Sequence, residues 1–192
     1  MQKNEIEIFT PKSRQDWRRW LKTNHASKQS IWLLLYKMES GKPTIDWTTA
    51  VEEALCFGWI DSKRKPVDKE KFMQFFSKRK TNGTWSKINK EKVQQLIDAG
   101  LMHTAGLMTI EAAKQNGSWT ILDTVEAYSI PKDLTAAFKK QPGSKKFFLN
   151  LSKSVQKRFL QWIVLAKLPE TRQKRIDEIA TLAAQGQKPK QF

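Results

Sequence analysis

The residues best suited to chemistry lie in one short stretch, ALCFGWIDSKRK, which runs from Ala54 to Lys65. An apolar run of helical character meets Gly58, and Trp59, Asp61 and three consecutive cations follow. If Trp59, Asp61 and Lys63 share a strand face, a carboxylate lies between a large ring and a cation. Two interpretations of Asp61 remain open. It pairs with a nearby Lys or Arg or caps a turn, or it is a polar group in the wall of a ligand pocket.

A second stretch, FFSKRKTNGTWSKINK, surrounds a loop with cations and continues into Trp85 and the start of a helix. Basic residues beside an exposed aromatic ring and a helix N-terminus are the groups that contact a phosphate backbone. The alternative is a solvated hairpin end with Trp85 in the core. The cations predicted to bind an anion or nucleic acid are Lys63, Arg64, Lys65, Lys78, Arg79, Lys80 and Lys87. The predicted pocket residues are Trp59, Asp61, Arg79, Trp85, Ser86 and Asn89.

Other chemical patterns are missing from the sequence. The two histidines, His25 and His103, have no metal-ligand spacing, and the single cysteine, Cys56, lies among apolar neighbours of a helix. No HExxH, GxGxxG, GxxxxGK[ST] or GxSxG motif is present. We therefore predict no catalytic residue, no metal site and no cofactor, and we interpret Cys56 as a small buried apolar side chain.

The charge is large and unevenly distributed. The 192 residues carry a net charge of +16; residues 59–92 hold 11 Lys/Arg against 4 Asp/Glu, and residues 132–192 hold 14 against 4. Such an excess favours anionic partners, with nucleic acid or another polyanion first among them. No apolar run approaches the length of a membrane span, and the N-terminus shows no secretory signal, so a cytoplasmic location is expected.

The elements that must position these residues predict an α+β fold. A helix capped by Ser13, a buried strand over Ser30–Met38, a helix with the capping-box spacing Thr49–Glu52 and a hairpin after Gly58 come first. We predict a small antiparallel sheet with helices over residues 1–117, a connecting segment at 118–130, and an all-helical unit over 131–192. Cations of that last unit either form a solvated face or bind a second anion or an acidic protein partner.

The same stretches resemble a known family. EALCFGWIDSKRKPVD, FFSKRKTNGTWSKINKEKVQQLIDAGLM, AGLMTIEAAKQNGSW and FLQWIVLAKLPETRQKRI are similar to the bacterial YdeI/OmpD-associated (OmdA) family. The likeness runs from about Phe9 to Leu182. Residues 130–185 resemble the OmdA domain, and the N-terminal part resembles the YjbR/CyaY-like α+β fold. The family's recurrent positions map onto Gly58, Trp59, Asp61, Arg79, Trp85, Ser86 and Asn89, but Lys78 stands where relatives often have Pro.

The resemblance implies bacteriocin protection, an association with a porin, and DNA binding by the N-terminal part. We therefore expect a non-enzymatic cytoplasmic protein that acts in stress or antimicrobial-peptide resistance through a basic anion-binding surface. A small-molecule-binding protein or an uncharacterised enzyme with a pocket around Trp59, Asp61, Arg79 and Trp85 is the alternative.

Overall fold

The structure is a computed structural model that describes residues 6–190 and 192. The prediction that the N-terminus carries no secretory signal concerns a segment that begins at Met1. Residues 1–5 of that segment lie outside the described range. The strands are β1 (Ile8–Phe9), β2 (Ser30–Tyr36), β3 (Trp59–Pro66) and β4 (Lys71–Lys78). The helices are α1 (Arg14–Asn24), α2 (Trp47–Cys56), α3 (Lys87–Asp98), α4 (Thr104–Gln115), α5 (Asp123–Glu126), α6 (Lys132–Lys140), α7 (Ser144–Asn150), α8 (Lys153–Val164) and α9 (Pro169–Ala184), with a 3₁₀ turn at Met38–Ser40.

The chain divides into two compact units. The first comprises residues up to Gly83 together with Ile88–Trp119, and the second comprises Thr84–Lys87 together with residues from Thr120 onward. The first contains the sheet and the second is helical. The predicted α+β fold class is confirmed. None of the helices in the described part of the chain is long and apolar enough to cross a bilayer.

The sheet of the first unit has the strand order β1-β2-β4-β3. β4 pairs antiparallel with both β2 and β3, whereas the short edge strand β1 runs parallel to β2. One face is buried along β2, where Ile31, Leu33 and Leu35 alternate with partly exposed side chains. Helix α1 packs on this face, where the Trp17 ring lies 5.6 Å from Phe76. The β3–β4 register shifts between Asp61 and Arg64, as at a β-bulge.

The first residues of α1 and α2 test the two helix caps predicted from the sequence. The prediction for α1 is confirmed, because the Ser13 hydroxyl accepts from the Asp16 backbone N–H at 3.2 Å. The capping box at Thr49 is wrong. Asp46 is the cap of α2, and its carboxylate accepts from the Thr49 N–H at 2.9 Å and from the Thr49 hydroxyl at 2.6 Å. A carboxylate three residues before Thr49 satisfies the free N–H groups better than the hydroxyl itself would.

The second unit has its own core. Phe148, Phe159, Ile163 and Ile176 are buried together with side chains of α5 and α6. Ion pairing also fastens α9 to α6, since the Arg172 guanidinium donates to both carboxylate oxygens of Asp133 at 2.7 and 3.1 Å. This bidentate geometry is the strongest form of the Arg–carboxylate contact.

Candidate anion-binding surface and pocket

The site is built around the corner where α2 ends and β3 begins. Gly58 ends the helix with a φ of +74°, and its N–H donates to the Leu55 carbonyl at 3.1 Å. A Cβ at this position would lie 2.7 Å from Thr109 Cγ2 and 3.1 Å from the Ala105 carbonyl oxygen. Glycine is therefore required here twice, once for the left-handed backbone and once for the close approach of α4.

Helix α4 is held against this corner by its own first turn. A Cβ on Gly106 would overlap the Cys56 carbonyl, and the His103 backbone N–H donates to that carbonyl at 3.0 Å. The His103 imidazole caps the helix, because its Nδ1 accepts from the Ala105 N–H at 3.2 Å. The contact requires Nδ1 to be unprotonated. The ring also stacks on Phe57 at 4.9 Å.

A pocket of about 260 Å³ opens at the Gly58 corner. Its apolar wall includes Phe57 and Trp59, and its polar groups include His25, Lys78 and Arg79. The two cations lie at the end of strand β4. There the Arg79 backbone N–H donates to the Gly58 carbonyl at 2.9 Å and holds this end against the corner. The Lys78 ammonium donates to the Ala26 carbonyl at 2.7 Å. An apolar wall with a few convergent polar groups is the usual composition of a small-ligand site.

Arg79 is the most strongly perturbed charge of the pocket. Burial lowers the pKa of its guanidinium to about 10, and attraction to the Asp61 carboxylate opposes that lowering. The side chain therefore remains a cation at neutral pH while much of its hydration is removed. A partly desolvated cation in a pocket interacts more strongly with an anion than a cation in open water does.

Asp61 points to a different set of partners. Its Oδ2 accepts from the Trp47 indole N–H at 3.0 Å and from the Gln74 amide at 3.2 Å. The carboxylate is half-buried and does not line the Gly58 pocket. Two neutral donors and the nearby Arg79 therefore account for the position of its carboxylate.

The other predicted pocket residues do not join this cavity. Trp85 and Ser86 belong to the short segment of the second unit, and Trp85 is only 1% exposed. Asn89 lies in α3 of the first unit and is not among the pocket lining. Of the six predicted residues, the structure brings Trp59 and Arg79 together in the pocket, with Asp61 within electrostatic range of Arg79.

The predicted cations of the hairpin lie on its exposed part. Lys63, Arg64 and Lys65 are all exposed on β3. The Arg64 guanidinium lies over the Phe72 ring at 3.6 Å, and the Lys65 ammonium lies 5.2 Å from the Trp32 ring centroid. Within residues 6–190 and 192, none of these three cations forms an ion pair with a carboxylate.

The remaining predicted cations differ in their surroundings. Lys80 is exposed on the loop after β4 and likewise has no ion pair in the described part of the chain. Lys78 and Arg79 contribute to the pocket described above. Lys87 lies in the second unit, where its backbone N–H donates to Glu126 at 3.3 Å. The predicted anion-binding residues therefore divide between an exposed hairpin group, a pocket group and Lys87.

Several residues of this region gave no signal in the sequence. His25 lines the pocket, and its ring lies 4.9 Å from that of His103, which is 78 positions later in the chain. Glu53 is 1% exposed and binds Arg14 at 2.5 Å and Arg18 at 2.7 Å. Both contacts are long-range, so no local spacing could indicate them. The described residues contain no group of three His, Cys, Asp or Glu side chains able to hold a metal ion.

Comparison with family models assigns both parts of the chain. Residues 9–109, just over half of the sequence, match the model of a domain of unknown function (DUF8412). The chain belongs to the DUF8412 family. The expected YjbR/CyaY-like N-terminal part is not supported, because DUF8412 is the model that matches there. The Gly58 pocket and the exposed hairpin cations all lie within the DUF8412 match.

The second match confirms the resemblance of the C-terminal part. Residues 127–186 match the OmdA model, described as bacteriocin-protection, YdeI or OmpD-associated. No curated protein and no solved structure matches the chain. The DUF8412 part thus carries the candidate site, and the OmdA part comprises most of the helical unit.

Proposed function

We propose that this chain is a YdeI/OmdA-type binding protein that holds a polyanion on the exposed cations of the β3–β4 hairpin, with nucleic acid as the preferred polyanion. The observation that carries the proposal is the group Lys63, Arg64 and Lys65, which is exposed and has no carboxylate partner in the described residues. Its charge is available to phosphates, and release of their counterions then drives binding.

Two cations of the helical unit are already paired with carboxylates, whereas the hairpin group is not. Lys157 binds Glu126 at 2.6 Å, and Arg172 binds Asp133 at 2.7 Å. These cations already have counter-charges, which weakens their attraction for an acidic partner protein. We therefore favour a polyanion at the hairpin over an acidic protein docked on the C-terminal helices.

The experiment is a binding titration of labelled 20-nucleotide DNA, single-stranded and duplex, between 50 and 200 mM salt. The triple variant K63Q/R64Q/K65Q removes three charges from the hairpin. The matched control K139Q/K140Q/K145Q removes three exposed charges from the helical unit. We expect the hairpin variant to reduce the slope of log affinity against log salt by about 2–3 for duplex DNA, at roughly 0.9 per phosphate contact. We expect the control to keep the wild-type slope.

Two results would overturn the proposal. Absence of binding by the wild-type protein at 50 mM salt would remove polyanion binding altogether. Equal loss in the two triple variants would show that total charge, and not the hairpin, determines the affinity.

We further propose a cytoplasmic role in stress or antimicrobial-peptide resistance, which the match to the bacteriocin-protection model supports. The test uses a bacterial strain that lacks this gene and is complemented with wild type or with K63Q/R64Q/K65Q. Wild type should raise the inhibitory concentration of a cationic peptide, and the hairpin variant should not. Cell fractionation should recover the protein with the cytoplasmic contents. Equal resistance in the two complemented strains would show that the role in resistance does not depend on the hairpin cations.

A small-anion-binding protein is the second candidate, favoured by the pocket at Gly58 in which Lys78 and Arg79 adjoin the apolar wall of Trp59. Titration with inorganic phosphate and benzoate, followed by thermal shift and by backbone NMR, tests it. A saturable shift centred on residues 57–59 and 78–79, abolished in R79Q and kept in R64Q, is expected. Shifts spread over the whole surface would contradict a built pocket.

A further inference from the structure

One face of the sheet in the first unit remains partly exposed, although it is rich in aromatic side chains. We call this the outer face of the sheet, because its side chains point away from the buried face that α1 and α2 cover. Its members are Ile60, Lys65, Trp32, Leu34, Tyr36, Lys71, Met73 and Phe75. On the buried face Ile31, Leu33 and Phe76 are 0% exposed, whereas the apolar members of the outer face are all partly exposed.

The strand register places the rings of this face side by side. Trp32 on β2 is paired directly with Phe75 on β4, and these are the two interior strands of the sheet. Their ring centroids lie 4.9 Å apart at an interplanar angle of 64°, which is an edge-to-face contact. Tyr36 follows Trp32 on the same face, about 13 Å further along the strand at roughly 3.3 Å per residue. The outer face therefore offers two aromatic positions along one strand.

Each aromatic position has a cation beside it. Lys65 lies 5.2 Å from the Trp32 ring centroid and has no carboxylate partner in the described residues. Lys42 lies 5.2 Å from the Tyr36 ring centroid but is already paired with Glu70 at 2.5 Å. Lys65 is brought beside Trp32 by its register opposite Met73 on β4. A ring that stacks a base and an ammonium that binds the adjoining phosphate are the two components of sequence-tolerant binding to single strands. Aromatic side chains on a four-stranded sheet also stack unpaired bases in other RNA-binding domains.

We propose that the outer face stacks the unpaired bases of a single-stranded nucleic acid, while Lys65, the hairpin cation whose register places it on this face, binds its phosphates. The inference rests on the polyanion binding proposed above and specifies its partner. A duplex does not fit this chemistry, because its bases are stacked on one another and only its backbone and groove edges reach a protein surface. The charge of residues 59–92 complements the phosphates, and the rings account for a preference for unpaired bases.

The test measures affinity by fluorescence anisotropy for labelled oligonucleotides and for heparin. The single-stranded probes have equal phosphate number, and the duplex has twice that number. The probes are a dT12 strand, an abasic 12-mer strand and a 12-base-pair duplex in which one strand is labelled. An rU12 strand tests RNA in the same way. W32L and F75L each remove one ring from the outer face, and W47L is the matched control because it removes an exposed ring outside that face. We expect each ring variant to weaken dT12 binding at least about fivefold, the lower end for loss of one base–aromatic stack.

The abasic probe should bind the ring variants and wild type equally, and W47L should bind all probes as wild type does. Near-ultraviolet circular dichroism and thermal melts show whether W32L and F75L are folded. In wild type, which needs no substitution, amide signals of β2 and β4 should shift with dT12 and much less with the abasic 12-mer.

Failure of the inference is distinguishable from failure of polyanion binding. If wild type binds neither heparin nor any oligonucleotide, both are wrong. If dT12 and the abasic probe bind equally and the ring variants have no effect, polyanion binding stands and base stacking is wrong. Preference for the duplex beyond what its doubled phosphate number explains would also overturn the inference. A dimer in sedimentation velocity that W32L dissociates would assign the outer face to a second copy of the chain, again overturning it.

Discussion

At the scale of single residues, Gly58 is the position where the fold of the site tolerates least change. Gly58→Ala combines a left-handed backbone with overlap against Thr109 and Ala105. We expect a loss of about 3 kcal/mol in the free energy of unfolding, of which about 1–2 is backbone strain and the rest steric overlap. Urea unfolding measures it. Gly100→Ala is the control, because Gly100 has a φ of +66° and open space around its Cβ direction. Equal losses in the two variants would show that packing of α4 on the corner contributes nothing.

The substitution Asp61→Asn tests at the same scale whether this carboxylate binds ligand or positions the sheet. Asp61 accepts from Trp47 and Gln74 and lies near Arg79. Because removal of a negative charge from a basic region lowers repulsion of phosphates, we expect DNA affinity to rise slightly, by less than about threefold, while stability falls by about 1 kcal/mol. The same DNA titration and urea unfolding measure both. A large loss of affinity in a folded D61N protein would instead make Asp61 a ligand-binding residue.

At the scale of elements, the cap of α4 makes part of the stability pH-dependent. Burial, followed by electrostatic interaction with His25, Arg18 and Lys22, lowers the pKa of His103 below its usual value of 6.5. The unfolded chain then binds more protons than the folded chain at mildly acidic pH. The contribution of His103 is complete above pH 6.5 and is lost as the pH falls through its lowered folded pKa. Protonation also converts Nδ1 from the acceptor of the Ala105 N–H into a donor.

His103→Asn keeps an acceptor at the cap and removes the titration. Urea unfolding at several pH values between 7.5 and 5 should therefore show a smaller loss of stability in the variant than in wild type. Parallel pH profiles for the two proteins would mean that the cap of α4 is not coupled to this histidine.

Local sequence patterns predicted some of these elements correctly and others not. The strand at Ser30, the hairpin and the helix end at Gly58 were predictable, because apolar periodicity and glycine act within a few residues. The start of α2 was not, because Asp46 and Thr49 compete for the same cap and only the fold selects between them. The earlier start turns Trp47 outward, 46% exposed, and lets it donate to Asp61. The pocket needed contacts between His25, Phe57 and Lys78, which no spacing in the sequence reveals.

At the scale of the whole molecule, each of the two units buries hydrophobic side chains among its described residues, and each should unfold according to its own packing. Phe159 is 0% exposed in the core of the helical unit, where its ring lies 6.1 Å from Phe148. Phe159→Ala should cost about 3–5 kcal/mol, because it removes a buried ring and leaves a cavity. Hydrogen exchange followed by mass spectrometry reads the two units separately. We expect peptides of α8 and α9 to lose protection, while those of β2 and β4 keep it.

The complementary variant Phe76→Ala, in the core of the first unit, should give the reverse pattern. If either substitution lowers hydrogen-exchange protection equally in both units, the chain unfolds as one cooperative block. The two units are then not independently stable. If the two patterns are reciprocal, the DUF8412 part retains its sheet when the OmdA part is destabilised. Binding of dT12 by the F159A variant then gives an independent measure, since a polyanion site confined to the sheet unit predicts unchanged affinity in that variant and reduced affinity in F76A.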